Sequence, residues 1–293
     1  MSTQHARFGS VMAAFPGVGS WIERRARVAP DQVALVHATT RRSYAELAER
    51  VGRLSAGLLE LGVARGDRVG WLGENHPAFL ETLFAVAQLG AVFAPVNHRL
   101  PGAAIADVFD DYGVNVVIVG DSTATIEIPA GVRVVHVRGG TSAGSYEHLI
   151  ASARANRAET RVDPDDVCII PHTSGTTGSP KGVMLTHANV TWNVINMLSV
   201  ADLRSDDVTL ALAPLFRTGG MGVNVLPLLF RGGTVVVPVA TTPDDVLDAI
   251  ERDRVTVGFG NPDLLDALTL SPHWASADLS SVRFIITGGA PVP

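Results

Sequence analysis

Apolar and polar residues alternate along this chain in two rhythms. Between residues 47 and 61, leucine and valine recur every three or four positions, which is the spacing of an amphipathic helix. Short apolar runs at 68–72 and 114–119 have the length and the valine content of buried strands. Stretches of the two kinds follow one another, separated by short turns with glycine or proline. This alternation predicts an α/β fold in which helices cover both faces of mostly parallel sheets.

Helix caps and breakers set the limits of the predicted elements. Ser43 and Glu46 form a capping-box pattern, Thr186 is a predicted N-cap, and Pro77 opens a helix. The predicted helices cover 44–61, 77–90, 101–112, 146–155, 188 onward, a part of 221–230, 243–253 and 262 onward. The predicted strands cover 68–72, 91–96, 114–119, 132–137, 167–170, 208–213, 234–237, 255–258 and 282–287. The simplest architecture is two doubly wound sheets in succession, with a lead-in at 1–20, a first subdomain at 21–185 and a second at 186–293.

The composition restricts the class of protein. Hydrophobic residues make up 46% of the chain and charged residues 18%, so a large buried core is expected. The net charge is −6 without any basic run, which argues against nucleic acid as a partner. No apolar run approaches the roughly 18 residues of a membrane span. The single cysteine, Cys168, falls in a predicted buried strand, so a soluble protein of the reducing cytoplasm is expected.

One loop carries the strongest chemical signal. Residues 171–182 read Pro-His-Thr-Ser-Gly-Thr-Thr-Gly-Ser-Pro-Lys-Gly, after a predicted strand and before a predicted helix. Glycines let the backbone approach a ligand closely, and N–H groups, hydroxyls and one ammonium suit a polyphosphate. A Walker A loop is disfavoured, because Pro180 stands where that pattern requires glycine and Gly182 follows the lysine in place of a hydroxyl residue.

The ten residues from Thr173 to Gly182 resemble a known motif without a substitution. The motif, Thr-Ser-Gly-Thr-Thr-Gly-x-Pro-Lys-Gly, belongs to the adenylate-forming enzymes, which include acyl-CoA synthetases, the firefly-luciferase type and the adenylation domains of peptide synthetases. A chance match in a surface loop is disfavoured by the number of matched positions and by the strand–loop–helix context. The chain is identified as a member of the acyl-CoA synthetase branch.

The resemblance extends over nearly the whole chain from about Trp21. Segments at 44–47, 66–69, 90–97, 256–262 and 288–291 resemble further family motifs in the family's order. In the family, the fourth of these walls the acyl pocket and the fifth packs against adenine. The resemblance implies nucleotide contacts by Thr173, Ser174, Gly175, Thr176, Thr177, Gly178, Lys181, Gly288, Gly289, Ala290 and Pro291, catalytic roles for Thr176, Lys181 and Arg217, substrate contacts by Phe216, Arg217, Gly222 and Asn261, and no metal ligand.

The resemblance also implies parts that lie beyond position 293. Family members continue with a Tyr-Gly-x-Thr-Glu motif, whose glutamate helps to hold Mg²⁺. An aspartate for the ribose and a mobile C-terminal domain with a catalytic lysine follow. The chain is therefore expected to be an N-terminal fragment with a truncated second subdomain, and to be inactive by itself.

The implied reaction has two steps. A carboxylate attacks the α-phosphate of ATP to give an acyl-adenylate and pyrophosphate, and a thiol then displaces AMP. The expected substrates are ATP with Mg²⁺, a fatty or similar apolar acid, and CoA. Two alternatives stay open: a biosynthetic enzyme that passes its adenylate to a carrier protein or an amine, and a nucleotide-binding remnant without catalysis. A homodimer is also left open.

Position 217 departs from the family pattern. Acyl-CoA synthetases commonly read Pro-Leu-Phe-His-x-x-Gly after this strand, with the histidine near the reacting carboxylate, whereas this chain has Arg217 there. A guanidinium stays charged and can bind a carboxylate through two hydrogen bonds. We expect Arg217 to contact the reacting carboxylate, the α-phosphate or a second anionic group of the substrate. The alternative is an outward arginine paired with a surface acid.

Overall fold

The computed structural model describes residues 17–120, 128–153, 160–173 and 181–291. In this part of the chain the strands are β1 (Val33–His37), β2 (Thr40–Ser43), β3 (Arg68–Leu72), β4 (Val92–Val96), β5 (Val114–Val119), β6 (Arg133–His136), β7 (Val167–Ile169), β8 (His172–Thr173), β9 (Lys181–Gly182), β10 (Leu185–Thr186), β11 (Val208–Leu210), β12 (Thr234–Val236), β13 (Val257–Gly260) and β14 (Phe284–Thr287). The helices are α1 (Trp21–Val28), α2 (Tyr44–Glu60), α3 (Pro77–Gln88), α4 (Gly102–Tyr112), α5 (Tyr146–Ser152), α6 (His187–Val200), α7 (Thr218–Gly222), α8 (Val225–Arg231), α9 (Pro243–Asp253) and α10 (Pro262–Thr269).

Two six-stranded sheets organise these elements. The first sheet has the strand order β10-β7-β4-β3-β5-β6 and the second has the order β14-β13-β11-β12-β1-β2. Each sheet is parallel except for one antiparallel edge strand, β10 in the first and β2 in the second. The predicted α/β class with two mostly parallel sheets is confirmed.

The hairpin β1–β2 comes from the amino-terminal part of the chain but belongs to the second sheet. It lies near the amino end, yet β1 pairs in parallel with β12, so that Leu35 stands opposite Val235. The two sheets therefore do not simply succeed one another along the chain, as the pattern had suggested. The division into subdomains at residue 185 stays a prediction.

Alternate side chains of each strand enter different cores. In β3, Val69 and Trp71 face the large core between the sheets, whereas Leu72 faces an outer core covered by α4. In β12, Val235 belongs to the same large core and its neighbour Val236 to an outer core covered by α9. Because both faces of each central strand are covered, the strands read as continuous apolar runs in the sequence. No described helix has the length and apolar character that crossing a membrane requires.

Most predicted elements are confirmed, although several begin or end a few residues from the predicted limits. The apolar helix predicted within 221–230 is α8, which begins after its N-cap, the buried Asn224, whose side-chain amide donates to the hydroxyl of Thr209. The predicted strand at 255–258 begins two residues later, because the Val255 N–H donates to Ile250 and completes the end of α9. The pattern did not predict α1, β1 or β2. The last residues of the predicted helix at 146–155 lie outside the described residues.

Helix α3 is buried from Pro77 to Ala87, although it carries the acidic residue Glu81. Arg50 of α2 donates to both carboxylate oxygens of Glu81 at 2.7 and 3.0 Å, and Tyr146 donates to the same carboxylate at 2.7 Å. Arg50 also binds Glu147, whose pKa the Arg50 guanidinium lowers through a hydrogen bond. The network joins α2, α3 and α5 and leaves the buried carboxylate fully paired.

His187 connects the amino end of the described chain to α6. Its Nδ1 accepts from the Val18 N–H at 3.1 Å, and the ring is fully buried. Burial lowers the pKa of His187 to about 4, although the nearby Asp166 carboxylate acts in the opposite direction. The folded protein therefore holds His187 in its neutral form.

We predict that this histidine makes stability depend on pH. Its folded pKa lies below the ordinary value, so its contribution is complete above about pH 6.5 and is lost as the pH falls toward 4. The loss in the free energy of unfolding is at most about 3 kcal/mol. His187→Asn is the control, because its Oδ1 can still accept from Val18 but does not titrate. Denaturant titrations at pH 7 and pH 4.5 should show a larger loss for the natural protein than for the variant; equal losses would contradict the prediction.

Candidate active site

The carboxyl ends of both sheets meet in one crevice, formed by Asn75, His98, His172, Phe216 and Arg217. The first three residues follow β3, β4 and β7 of the first sheet, and the last two follow β11 of the second. The Phe216 ring stacks on the His172 ring with centroids 6.3 Å apart and planes 2° from parallel. It also meets the His98 ring edge-on at 5.8 Å. Residues of the two sheets are thus in contact where ligands bind in open α/β sheets.

The turn at residues 211–217 presents Phe216 and Arg217. The Arg217 N–H donates to the Pro214 carbonyl at 3.1 Å, which closes the turn. A Cβ at Gly220 would lie 2.1 Å from the same carbonyl oxygen, so only glycine lets α7 begin this close to the turn. Of the predicted substrate-binding residues, Phe216 is buried at this point and Arg217 is exposed.

Arg217 stays close to the crevice. Its guanidinium carbon lies 5.9 Å from the centroid of the Phe216 ring, within the range of a cation–π contact. Its charge is one of the influences that lower the pKa of His172. In the part of the chain that the structure describes, no acid forms an ion pair with Arg217. The predicted contact of Arg217 with substrate stays a prediction.

Two imidazoles of the crevice were not singled out from the sequence. Burial lowers the pKa of His172, and Arg217 adds to this while the Pro95 carbonyl opposes it. Burial also lowers the pKa of His98. The Nδ1 atom of each ring is buried and has no hydrogen-bond partner among the described residues. Both rings are therefore neutral near pH 7, and the available signal was a polar residue after the carboxyl end of a predicted strand.

The two ends of the predicted phosphate loop, β8 and β9, form an antiparallel pair at the crevice, which is called the phosphate hairpin below. Thr173 pairs with Lys181 and His172 with Gly182 in antiparallel register, and the Val183 N–H donates to the Pro171 carbonyl at 2.8 Å. Lys181 is exposed and has no ion pair among the described residues. The structure thus places the backbone of Thr173 beside Lys181 at the base of the loop. The predicted site residues Ser174, Gly175, Thr176, Thr177 and Gly178 lie outside the described residues.

The predicted adenine loop follows β14. A Cβ at Gly288 would lie 3.9 Å from the Phe259 ring, and one at Gly219 would lie 3.6 Å from it, so this ring separates the adenine loop from α7. Gly289 has a φ of +85°, which favours glycine, and Ala290 and Pro291 continue the loop. Thr287, just before the loop, has a buried hydroxyl without a partner among the described residues.

A cavity of about 200 Å³ lies beside the 211–217 turn. It contains the predicted substrate residue Gly222, whose carbonyl accepts from Asn193 at 2.8 Å. The predicted substrate residue Asn261 caps α10 instead of lining this cavity, and its Oδ1 accepts from the Leu264 N–H. The lining residues are Ile169, Leu185, Asn189, Val190, Asn193, Thr218, Met221, Gly222 and Leu226.

Known proteins resemble both the sequence and the fold. A feruloyl-CoA synthase of an Amycolatopsis species is 46% identical over 278 residues, which are 94% of this chain and 55% of that protein. The long-chain-fatty-acid–CoA ligase FadD13 of Mycobacterium tuberculosis is 33% identical over 94% of this chain and 56% of its own. The crystal structure of the N-terminal domain of FACL13 from Mycobacterium tuberculosis has a TM-score of 0.88 at 31% identity, covering 94% of this chain and 71% of that one.

These matches cover the crevice and both sheets. The chain spans about half the length of the curated relatives it matches. The model of the AMP-binding enzyme family matches residues 22–293, which include every element from α1 onward apart from its first residue. The predicted resemblance is thereby confirmed, and the relatives above are CoA ligases. The chain belongs to the AMP-binding enzyme family, the adenylate-forming enzymes.

Proposed function

We propose that the full-length protein activates a carboxylic acid with ATP as an acyl-adenylate and transfers the acyl group to CoA. The stack of Phe216 on His172 carries this proposal, because it joins the 211–217 turn to the base of the phosphate hairpin. In the family pattern these two segments hold the acid and the phosphates. Their contact supplies the proximity that attack of a carboxylate oxygen on the α-phosphate requires.

Two described residues next to the predicted nucleotide-binding loops, Lys181 and Thr287, suit contacts with ATP. Lys181 offers an exposed ammonium without an ion pair in the described part of the chain, at the place where pyrophosphate would gain charge. The unpartnered Thr287 hydroxyl, beside Gly288, suits a hydrogen bond to the nucleotide. In this proposal Thr173, Ser174, Gly175, Thr176, Thr177 and Gly178 surround the phosphates, and Gly288, Gly289, Ala290 and Pro291 lie against the adenine.

In this proposal Mg²⁺ binds together with ATP. Among the described residues, Lys181 neutralises the phosphates and Arg217 supplies positive charge on the side of the acid. A divalent cation bound with ATP would add charge stabilisation to the leaving pyrophosphate.

The size of the cavity favours an aromatic acid. An apolar cavity of about 150 Å³ can hold benzene, so a cavity of about 200 Å³ suits one ring with small substituents. The 46% identity to a feruloyl-CoA synthase points in the same direction. A fatty or similar apolar acid is the second candidate, which the 33% identity to FadD13 supports. Ferulate and related ring-bearing acids are thus the first substrates to examine.

We predict that the full-length enzyme prefers aromatic propenoic acids to saturated fatty acids. The expected advantage in kcat/KM is about tenfold or more, because a long chain does not fit a single-ring cavity. The test is CoA-dependent AMP release with ferulate, cinnamate, octanoate and dodecanoate at equal concentrations. A higher value for dodecanoate would overturn the aromatic assignment. AMP release that needs an amine or a carrier protein instead of CoA would overturn CoA as the acceptor.

We expect residues 1–293 alone to show no acid-dependent pyrophosphate exchange, since the relatives are almost twice as long.

Lys181→Ala should lower kcat/KM for ATP in the full-length enzyme. Loss of one charge-assisted contact to the phosphates suggests a decrease of about thirty- to thousandfold, or roughly 2–4 kcal/mol. Pyrophosphate exchange at varied ATP concentration measures this. Arg24→Ala is the matched control, since Arg24 is also an exposed cation but lies on α1. If both variants keep natural kinetics, Lys181 is an ordinary surface lysine and the assignment of the loop is wrong.

Arg217→Ala should raise the KM for the acid. Removal of a charged hydrogen-bond donor suggests a loss in kcat/KM of about ten- to hundredfold, with Arg217→Lys retaining part of the activity. An equal loss for every acid would indicate contact with the reacting carboxylate or the α-phosphate. A loss confined to acids with a second anionic group would indicate contact with that group. Unchanged rate and unchanged acid preference would rule out both, and Arg217→His shows whether the arginine excludes plain fatty acids.

A further inference from the structure

The side chain of Asn75 joins the two sheets at their carboxyl ends. Its Nδ2 donates to the carbonyl oxygens of Ala211 and Ala213, at 2.8 and 3.0 Å. Its Oδ1 accepts from the Leu215 N–H at 2.8 Å. Asn75 follows β3 of the first sheet, whereas the three backbone groups belong to the turn after β11 of the second. One amide therefore holds three backbone groups that lie 136 to 140 residues away in the sequence.

The three backbone groups have left the regular ladder of the sheet. Strand β11 pairs with β12 as far as Leu210, and the Ala211 N–H still donates to Val236. Beyond that point the turn needs other partners, because an unpaired backbone group away from water is unfavourable. A carboxamide supplies two hydrogens and an acceptor in one group. Aspartate has the same shape but, when ionised, has no hydrogen to donate.

The next two residues of this turn belong to the crevice. Leu215, which Asn75 binds, is followed by Phe216 and Arg217. Phe216 rests on His172, which belongs to the first sheet's side of the crevice. The position of Arg217 relative to the phosphate hairpin therefore depends on where the turn stands relative to the first sheet. Asn75 sets that distance through hydrogen bonds from the first sheet.

We infer that Asn75 is a positioning residue for the acid substrate. It holds the 211–217 turn so that Phe216 and Arg217 face His172 and the base of the phosphate hairpin, without itself contacting the substrate. The inference rests on the proposed function, since it assigns a purpose to the same crevice. If Asn75 only linked the two sheets, its replacement would lower stability and leave kcat/KM for the acid unchanged. If Asn75 positions the turn, its replacement also lowers kcat/KM for the acid.

The test is Asn75→Asp in the full-length enzyme. At pH 8 the carboxylate faces two carbonyl oxygens and donates to neither, so the turn moves. We expect kcat/KM for the acid to fall about thirty- to hundredfold, as a displacement of about 1 Å near the reacting atoms produces. The KM for ATP should change less than about twofold, because the phosphate hairpin is held by other bonds.

Lowering the pH gives a readout that a purely structural role would not produce. Once protonated, the carboxyl group introduced by Asn75→Asp can donate to one carbonyl and accept from Leu215. The ratio of variant to natural kcat/KM should therefore rise severalfold from pH 8 to pH 5.5. Asn115→Asp is the matched control, because Asn115 is an exposed residue of β5 on the first sheet, remote in the fold from the turn. Its ratio should stay near one at both pH values.

Hydrogen exchange separates this inference from the proposed function. At pH 8, backbone amides in a peptide covering 214–221 should exchange about tenfold faster in Asn75→Asp than in the natural enzyme, and peptides of β5 should not change. If the natural enzyme activates no acid but this exchange difference appears, the proposed function fails, while Asn75 is still shown to hold the 211–217 turn in place. If exchange is unchanged, or if the variant melts earlier while retaining natural kcat/KM at both pH values, Asn75 is not a positioning residue.

Discussion

The burial of α3 is the constraint on which the rest of the structure depends. This helix fills the space between the two sheets and is covered on every side, yet it carries Glu81. A buried carboxylate that loses its partner costs several kcal/mol, so the helix can occupy this layer only with Arg50 against it. Although burial acts against its charge, hydrogen bonds to Glu147 and Glu81 raise the pKa of Arg50. The pair is thus less a source of stability than a condition for this packing.

A fixed α3 gives the crevice a fixed edge. The helix begins at Pro77, two residues after Asn75, and its N-cap His76 accepts from the Ala78 N–H. Asn75 is therefore next to a rigid element, and its side chain binds the turn of the second sheet from there. The phosphate hairpin starts from β7, which pairs with the neighbouring strand β4. The predicted site residues lie on loops, but each loop follows an element whose position the large core determines, so a rigid scaffold brings the loops together.

The sequence predicted the elements better than the contacts between them. Ser43 has its predicted capping box and Thr186 is the predicted N-cap, because a cap depends on residues three positions apart. The pairing of β1 with β12 was not predictable in that way, since Leu35 and Val235 meet only through the tertiary fold. For the same reason, the stack of His172 on Phe216 and the hydrogen bonds from Asn75 to the 211–217 turn were not predictable from the sequence. Asn261 shows the reverse case, because a residue expected at the substrate already has a local role as a helix cap.

The charge of the crevice differs from that of the protein as a whole. The chain has a net charge of −6, yet Lys181 and Arg217 have no acidic partner among the described residues. Burial lowers the pKa of His172, so its ring adds no third positive charge to the crevice near pH 7. Two unpaired cations in a concave site attract anions from a distance, and an otherwise acidic surface repels them elsewhere. In the proposed function, ATP and a carboxylate approach each other although both are negative. A crevice in which Lys181 meets the phosphates and Arg217 meets the acid would lower the repulsion that otherwise opposes their reaction.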